Sequence, residues 1–227
     1  MATTEVDICN VALGRVRASK IADLDEESPS AVECRSLYAN RRDALLAGYA
    51  WGFARATAVL ALKDEEPAEW LYSYAYPNDC LRVHYILPPG ARHAIVTSSG
   101  ISTPRIDWDP IPYEIAAGDD NVKRIWTDHT EASIAYTKRV TATTLFDPLF
   151  EEALIWFLAI DLAIPLGGDS GKSYRADAKD GFKEALDAAW ARSGNETQQG
   201  ATRLPRSIRA RSGQTADYFR GDLAYRR

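Results

Sequence analysis

The sequence predicts an α+β protein: a helical bundle with an inserted antiparallel β-rich domain and an extended C-terminal tail. Three patterns carry this reading. Apolar residues recur at helical spacing over residues 4–48. From about Ala56 to Val140 that period vanishes, and short runs rich in Val, Ile, Tyr and Trp stand between Pro, Gly and Asp clusters. Helical spacing then returns at Phe146. The expected domains are 1–55 with 146–199 for the bundle, 56–142 for the insertion and 200–227 for a basic arm.

The first helix is expected over 4–18. Thr4 can cap it, and Asp7 three residues on gives a capping-box spacing with Asp in place of Glu or Gln. Val6, Cys9, Leu13 and Val16 form its stripe, widened by Ile8 and Ala12. An acidic turn, IADLDEES, follows. Ser28 before Pro29 reads as an N-cap with proline at the first helical position, opening a second helix that runs to about Gly48. Val32, Leu37, Tyr38, Leu45 and Leu46 mark its apolar side, and Arg35, Arg41, Arg42 and Asp43 its wet or contact-making side.

The runs TAVLAL, CLRVHYIL, HAIVTSS, YEIAA, VKRIWTD and ASIAYTKRV predict five to seven strands, with turns at Gly90, Gly100 and Gly118-Asp119-Asp120-Asn121. The links between runs are too short for crossover helices, so antiparallel pairing is expected. Asp147 caps the next helix, with Pro148 at its first position. It spans 148–164, is apolar almost all round, and is expected to end at Pro165 and Gly167-Gly168. A last helix is expected from about Ser170 to Ser193, stopped by Gly194-Asn195.

At 227 residues, with 46% hydrophobic and 26% charged residues, the chain can build a core unaided, which excludes global disorder and rod-like folds. No apolar run reaches the ~20 residues of a membrane span; the nearest, Ala153 to Ile164, is broken by Asp161. The start MATTEVDICN has no signal-peptide pattern, so a cytoplasmic location and no membrane partner are expected. Cys9, Cys34 and Cys80 are an odd set without a CxxC pair, and read as buried free thiols. Charge is uneven. Residues 200–227 carry seven Arg against Asp217 and Asp222, net +5; the other 199 residues hold 20 Lys and Arg and 30 Asp and Glu, net −10.

No constellation predicts catalysis. Residues 166–173, LGGDSGKS, imitate a phosphate-binding loop through Gly171, Lys172 and Ser173, but the first glycine position is Leu166 and a helix, not a strand, precedes it. The reading is a helix–helix turn. His84, His93 and His129 lack metal-ligand spacing, although His84 and His93 could meet across a hairpin. Asp107/Asp109, Asp119/Asp120 and Asp23/Asp25/Glu26/Glu27 sit in turn-like contexts and read as solvated loops. Trp51, Trp70, Trp108, Trp126, Trp156 and Trp190 are expected in the core or at assembly contacts. No enzyme, metal site or cofactor is expected.

Four segments together resemble the tail tubular protein A family, the head-to-tail adaptors of short-tailed bacteriophages. They are E-V-D-I-C-N-V-A-L-G-R-V (5–16), R-R-D-A-L-L-A-G-Y-A-W-G-F-A-R-A (41–56), Y-A-Y-P-N-D-C-L-R-V (74–83), and F-D-P-L-F-E-E-A-L (146–154) leading through L-A-I-P-L (162–166) to K-E-A-L-D-A-A (183–189). They run in order from residue 5 to about 190. Gly48-Tyr49-Ala50 departs from the proline the family often places before the tryptophan, and the tail after residue 200 has no counterpart.

The resemblance implies a non-enzymatic virion protein of the phage neck, present in the host cytoplasm during assembly. Its partners would be the portal protein, a tail nozzle or tail tube protein, and copies of itself in a ring, in the family twelve. The genome would pass through the lumen during ejection without tight binding, and an acidic body would let DNA slide. The interleaved arginines and aromatics of the arm (Arg203, Arg206, Arg209, Arg211, Tyr218, Phe219, Arg220, Tyr225, Arg226 and Arg227) are the expected contacts with the portal or a neighbouring subunit. The rival reading is a nucleic-acid-binding regulatory module that uses the same basic arm.

Overall fold

The computed structural model describes residues 4–65, 67–87, 95–96, 102–103 and 111–196. Among them are four α-helices, α1 (Glu5–Arg15), α2 (Pro29–Gly48), α3 (Pro148–Leu166) and α4 (Gly171–Glu196). The strands are β1 (Arg55–Val59), β2 (Leu62–Lys63), β3 (Tyr72–Ala75), β4 (Cys80–Leu87), β5 (Ile95–Val96), β6 (Ser102–Thr103), β7 (Glu114–Ala117), β8 (Lys123–Thr127) and β9 (Ser133–Lys138). Every pairing is antiparallel, so the fold is α+β as expected. The residues fall in two compact units: one holds the helices and two sheets, the other the β5–β6 ribbon.

The helix starts follow local chemistry. The Thr4 hydroxyl accepts the Asp7 N–H at 3.1 Å while the Asp7 carboxylate accepts the Thr4 N–H at 2.9 Å, a complete capping box. Ser28 caps α2 by accepting the Ala31 N–H, and Asp147 caps α3 by accepting the Leu149 N–H at 2.9 Å, each with proline at the start. The helix ends differ from expectation. α3 runs through Pro165 to Leu166, because in the last turn a proline removes only one helical hydrogen bond. α4 continues past Gly194-Asn195 to Glu196. Between them lies the LGGDSGKS turn: Gly168 adopts φ +52°, and a side chain on Gly167 would strike the Ala163 carbonyl. That steric need accounts for the glycines of this segment without any phosphate.

α3 packs against α1, α2 and α4, which explains its all-round hydrophobicity. Phe150, Ala153, Leu154, Leu158, Ala159, Leu162 and Ala163 are fully buried. Its one charge in the apolar run, Asp161, is met by Arg41 from α2, whose guanidinium also lies 5.1 Å from the Phe157 ring. α2 turns differently from its expected faces. Val32, expected inside, is 43% exposed, and Arg42, placed on the wet or contact-making side, is 6% exposed. Arg42 is buried because its guanidinium reaches Asp43 at 2.9 Å and lies 5.9 Å from the Tyr38 ring. Cys9 and Cys34 are both buried; their mutual hydrogen bond and burial push the Cys9 thiol up.

The β part exceeds the five to seven strands expected. One sheet has the order β1-β9-β4, a second β2-β3-β8-β7. The segment Tyr72–Ala75 is absent from the expected runs, its Tyr-Ser-Tyr alternation being very short; its pairing with β2 and β8 makes it a strand. The first strand pairs with the last, Arg55 opposite Thr137, so the chain enters from α2 and leaves toward α3 at one place. A second apolar cluster, Val83, Ile86, Ile134 and Tyr136 from one sheet with Tyr74 and Ile125 from the other, joins the two sheets.

Candidate interaction surfaces

The junction between helices and sheets is aromatic. Trp51 and Phe53 follow α2, and Phe146 and Phe150 open α3. Trp51 and Phe53 stand 5.0 and 5.1 Å from the Phe150 ring, and Phe53 stands 6.0 Å from Phe146. The Trp51 indole N–H also donates to the Leu45 carbonyl at 2.9 Å, tying the turn back to α2. Asp79 sits beside this junction. Its carboxylate accepts from the Tyr136 hydroxyl at 3.2 Å and lies 3.8 Å from the Lys138 ammonium. Burial and the Asp79 charge push the Tyr136 phenol up to about 12. The Asp79 carbonyl accepts the Arg139 N–H at 2.7 Å, and the Arg139 side chain reaches Asp43 at 2.7 Å.

On the face of the β1-β9-β4 sheet that carries Thr137, register puts Arg55 and Arg82 on either side of that threonine. His84 reaches Thr137 Oγ1 through Nε2 at 2.9 Å and so joins the same face. Arg55 donates to the Tyr85 hydroxyl and its guanidinium lies 5.6 Å from the Tyr85 ring; Arg82 donates to the Gly48 carbonyl at the end of α2, 3.3 Å away. Both arginines are exposed, and among the described residues neither has a carboxylate within 4.0 Å. Burial, then Arg82 and Arg55, hold the His84 imidazole below its ordinary value. This cationic patch has no signal in the sequence, because only strand register assembles it.

The acidic turn between α1 and α2 is held firmly. The Asn10 amide brackets Ile21, donating to its carbonyl and accepting its N–H, each at 2.8 Å. One Glu26 oxygen accepts the N–H groups of Ala22 and Asp23 at 2.6 and 3.0 Å, and Asp23 accepts the Asp25 N–H at 2.9 Å. Asp23, Asp25 and Glu27 remain exposed, and the Asp25 side chain, 91% exposed, has Arg35 at 3.9 Å as its cation among the described residues.

The other expected groups are placed as follows. Asp119 and Asp120 form the β7–β8 turn, where Arg124 pairs with Asp120 at 2.6 Å and lies 3.4 Å from Glu65. Trp51 is buried, Trp156 lies under the Arg15 guanidinium at 4.1 Å, the Trp70 indole donates to Glu114 at 3.0 Å, and Trp190 is half-exposed beside Tyr49. The His129 carbonyl accepts from the Tyr74 hydroxyl at 2.8 Å. His93, Asp107, Trp108 and Asp109 lie outside the described residues, as do all ten arm residues: Arg203, Arg206, Arg209, Arg211, Tyr218, Phe219, Arg220, Tyr225, Arg226 and Arg227. Among the described residues no three His, Cys, Asp or Glu side chains are grouped to hold a metal, and no helix is long and apolar enough to cross a membrane. No protein-family model matches the chain, and no curated protein matches it significantly.

Proposed function

We propose that this chain is a non-enzymatic head-to-tail adaptor of a short-tailed phage, a neck component that rings the genome's exit path between portal and tail nozzle. The observation that carries the reading is the mutual packing of the resembling segments. W-G-F-A of residues 51–54 and F-D-P-L-F of 146–150 lie almost a hundred residues apart, yet their four rings stand against one another in one cluster. The 5–16 segment is α1, packed on α3, and the 74–83 segment spans the β3–β4 turn, whose Asp79 braces Tyr136. In this reading the helices form a bundle, the β part is its insertion, and the arm 200–227 grips the portal or a neighbouring copy. Charge-assisted hydrogen bonds of about 1.5–3 kcal/mol each, repeated around a ring of twelve, would lock the joint.

Electron microscopy of the purified protein with and without its portal tests the reading. Rings seated on the portal are expected; a particle that never assembles there overturns it. Removing residues 200–227 should abolish binding to heads, and unchanged affinity would exclude the arm as the grip. A DNA-binding regulator would instead lose nucleic-acid affinity steeply as salt rises, whereas a passive lumen binds little at any salt.

A further inference from the structure

The cationic patch of Arg55 and Arg82 and the acidic turn of Asp23, Asp25 and Glu27 are opposite in charge and built on the same compact unit. They stand at opposite ends of α2. Arg82 donates to the carbonyl of Gly48, the last residue of α2, while Glu27 directly precedes the Ser28 cap. A helix of 20 residues at ~1.5 Å per residue separates the two ends by roughly 30 Å. One molecule therefore cannot bring its own turn onto its own patch.

We infer that the patch is a docking surface for the acidic turn of a second copy of this chain. Of the four cations near this end of the sheet, Lys138 and Arg139 have Asp79 and Asp43, whereas Arg55 and Arg82 are left without a carboxylate among the described residues. The turn offers three exposed carboxylates on a loop whose backbone is already fixed, so little ordering entropy is lost on docking. The contact joins two different surfaces, and such head-to-tail contacts generate rings when the rotation closes. The inference deepens the ring reading and rests on it. Duplex DNA is the other polyanion such a patch could meet, but an immediate complement in the same chain favours the turn.

Sedimentation of the full chain at low and high salt tests this. Wild-type self-association should weaken as salt rises. R55E/R82E and D23K/D25K/E27K should each weaken it about tenfold or more, with melting temperatures near wild type. Mixing the two variants, or combining all five substitutions in one chain, should restore it, which a misfolded variant could not do. The inference falls if wild type stays monomeric throughout, if the combined swap fails to restore association, or if R55E/R82E leaves association unchanged and removes binding to a DNA duplex. If the inference falls, portal-bound rings seen by microscopy would still support the adaptor reading.

Discussion

The helices and the sheets of this chain solve burial in opposite ways. Around α3 the interior is largely apolar: rings from Trp51, Phe53, Phe146 and Phe150 and aliphatic side chains from all four helices fill it, and among the described residues the buried polar ones there are Ser30 and Arg42. The sheets hold a smaller apolar cluster and bury Ser73, Arg124, Thr127 and Thr137 around it. Each has a partner: Ser73 donates to Glu65 at 2.9 Å, Thr127 donates to the Pro112 carbonyl at 2.8 Å, Thr137 meets His84, and Arg124 meets Glu65 and Asp120. The helical part is thus held by non-directional packing, whereas the sheet part depends on specific polar partners whose loss leaves buried groups unsatisfied.

The widest gap should come from the apolar core. Phe150→Ala removes the ring that three other rings contact and should cost about 4 kcal/mol in denaturant unfolding. In the sheets, breaking one polar link should cost nearly as much as an apolar deletion. Glu65→Leu leaves the Arg124 side chain, 10% exposed, with Asp120 as its remaining carboxylate and takes the acceptor from Ser73; it should cost about 3 kcal/mol, the Arg124 share of it recovered in the Glu65→Leu/Arg124→Met double variant, and a double-mutant cycle reads the coupling. Absence of recovery would remove the contrast drawn between the two parts.

Gly181→Ala sharpens the comparison at the α3–α4 contact. Alanine normally stabilises a helix interior by about 1 kcal/mol over glycine. Here the added Cβ would lie 2.7 Å from the Trp156 indole, so the melting temperature should fall rather than rise. The smallest effect is at the α1 cap. Thr4→Ala should cost about 1 kcal/mol. The Thr4 hydrogen bonds hold the Asp7 carboxyl below its ordinary value of 3.8. A depressed carboxyl contributes stability above that ordinary value and loses it as pH falls through the folded one. The deficit of Asp7→Asn against wild type should therefore be full at neutral pH and close as pH falls through the folded-state value, below 3.8.

Much of the architecture could be read from local residues. Thr4 with Asp7, Ser28 with Pro29 and Asp147 with Pro148 mark three helix starts, because a cap acts on N–H groups two or three positions away. The long strands β4 and β9 announce themselves by composition. The strand β3 does not, since YSYA becomes a strand only by lying between β2 and β8. The candidate surfaces divide similarly. The acidic turn is visible as four carboxylates in five residues, whereas the set of Arg55, Arg82 and His84 spans two distant segments and is invisible along the chain.

By itself, then, the sequence determined the helix starts, the antiparallel β segment between them and the split between an acidic body and a basic arm. These follow from hydrogen bonds, side-chain periods and charges that act over a few residues. Tertiary structure alone decided that the first and last strands meet, that Arg42 is buried while Val32 is not, and that Arg55 and Arg82 flank Thr137. Each of these depends on register and packing between residues far apart in the chain, and a one-residue slip in that register would turn every side chain of the strand to the other face.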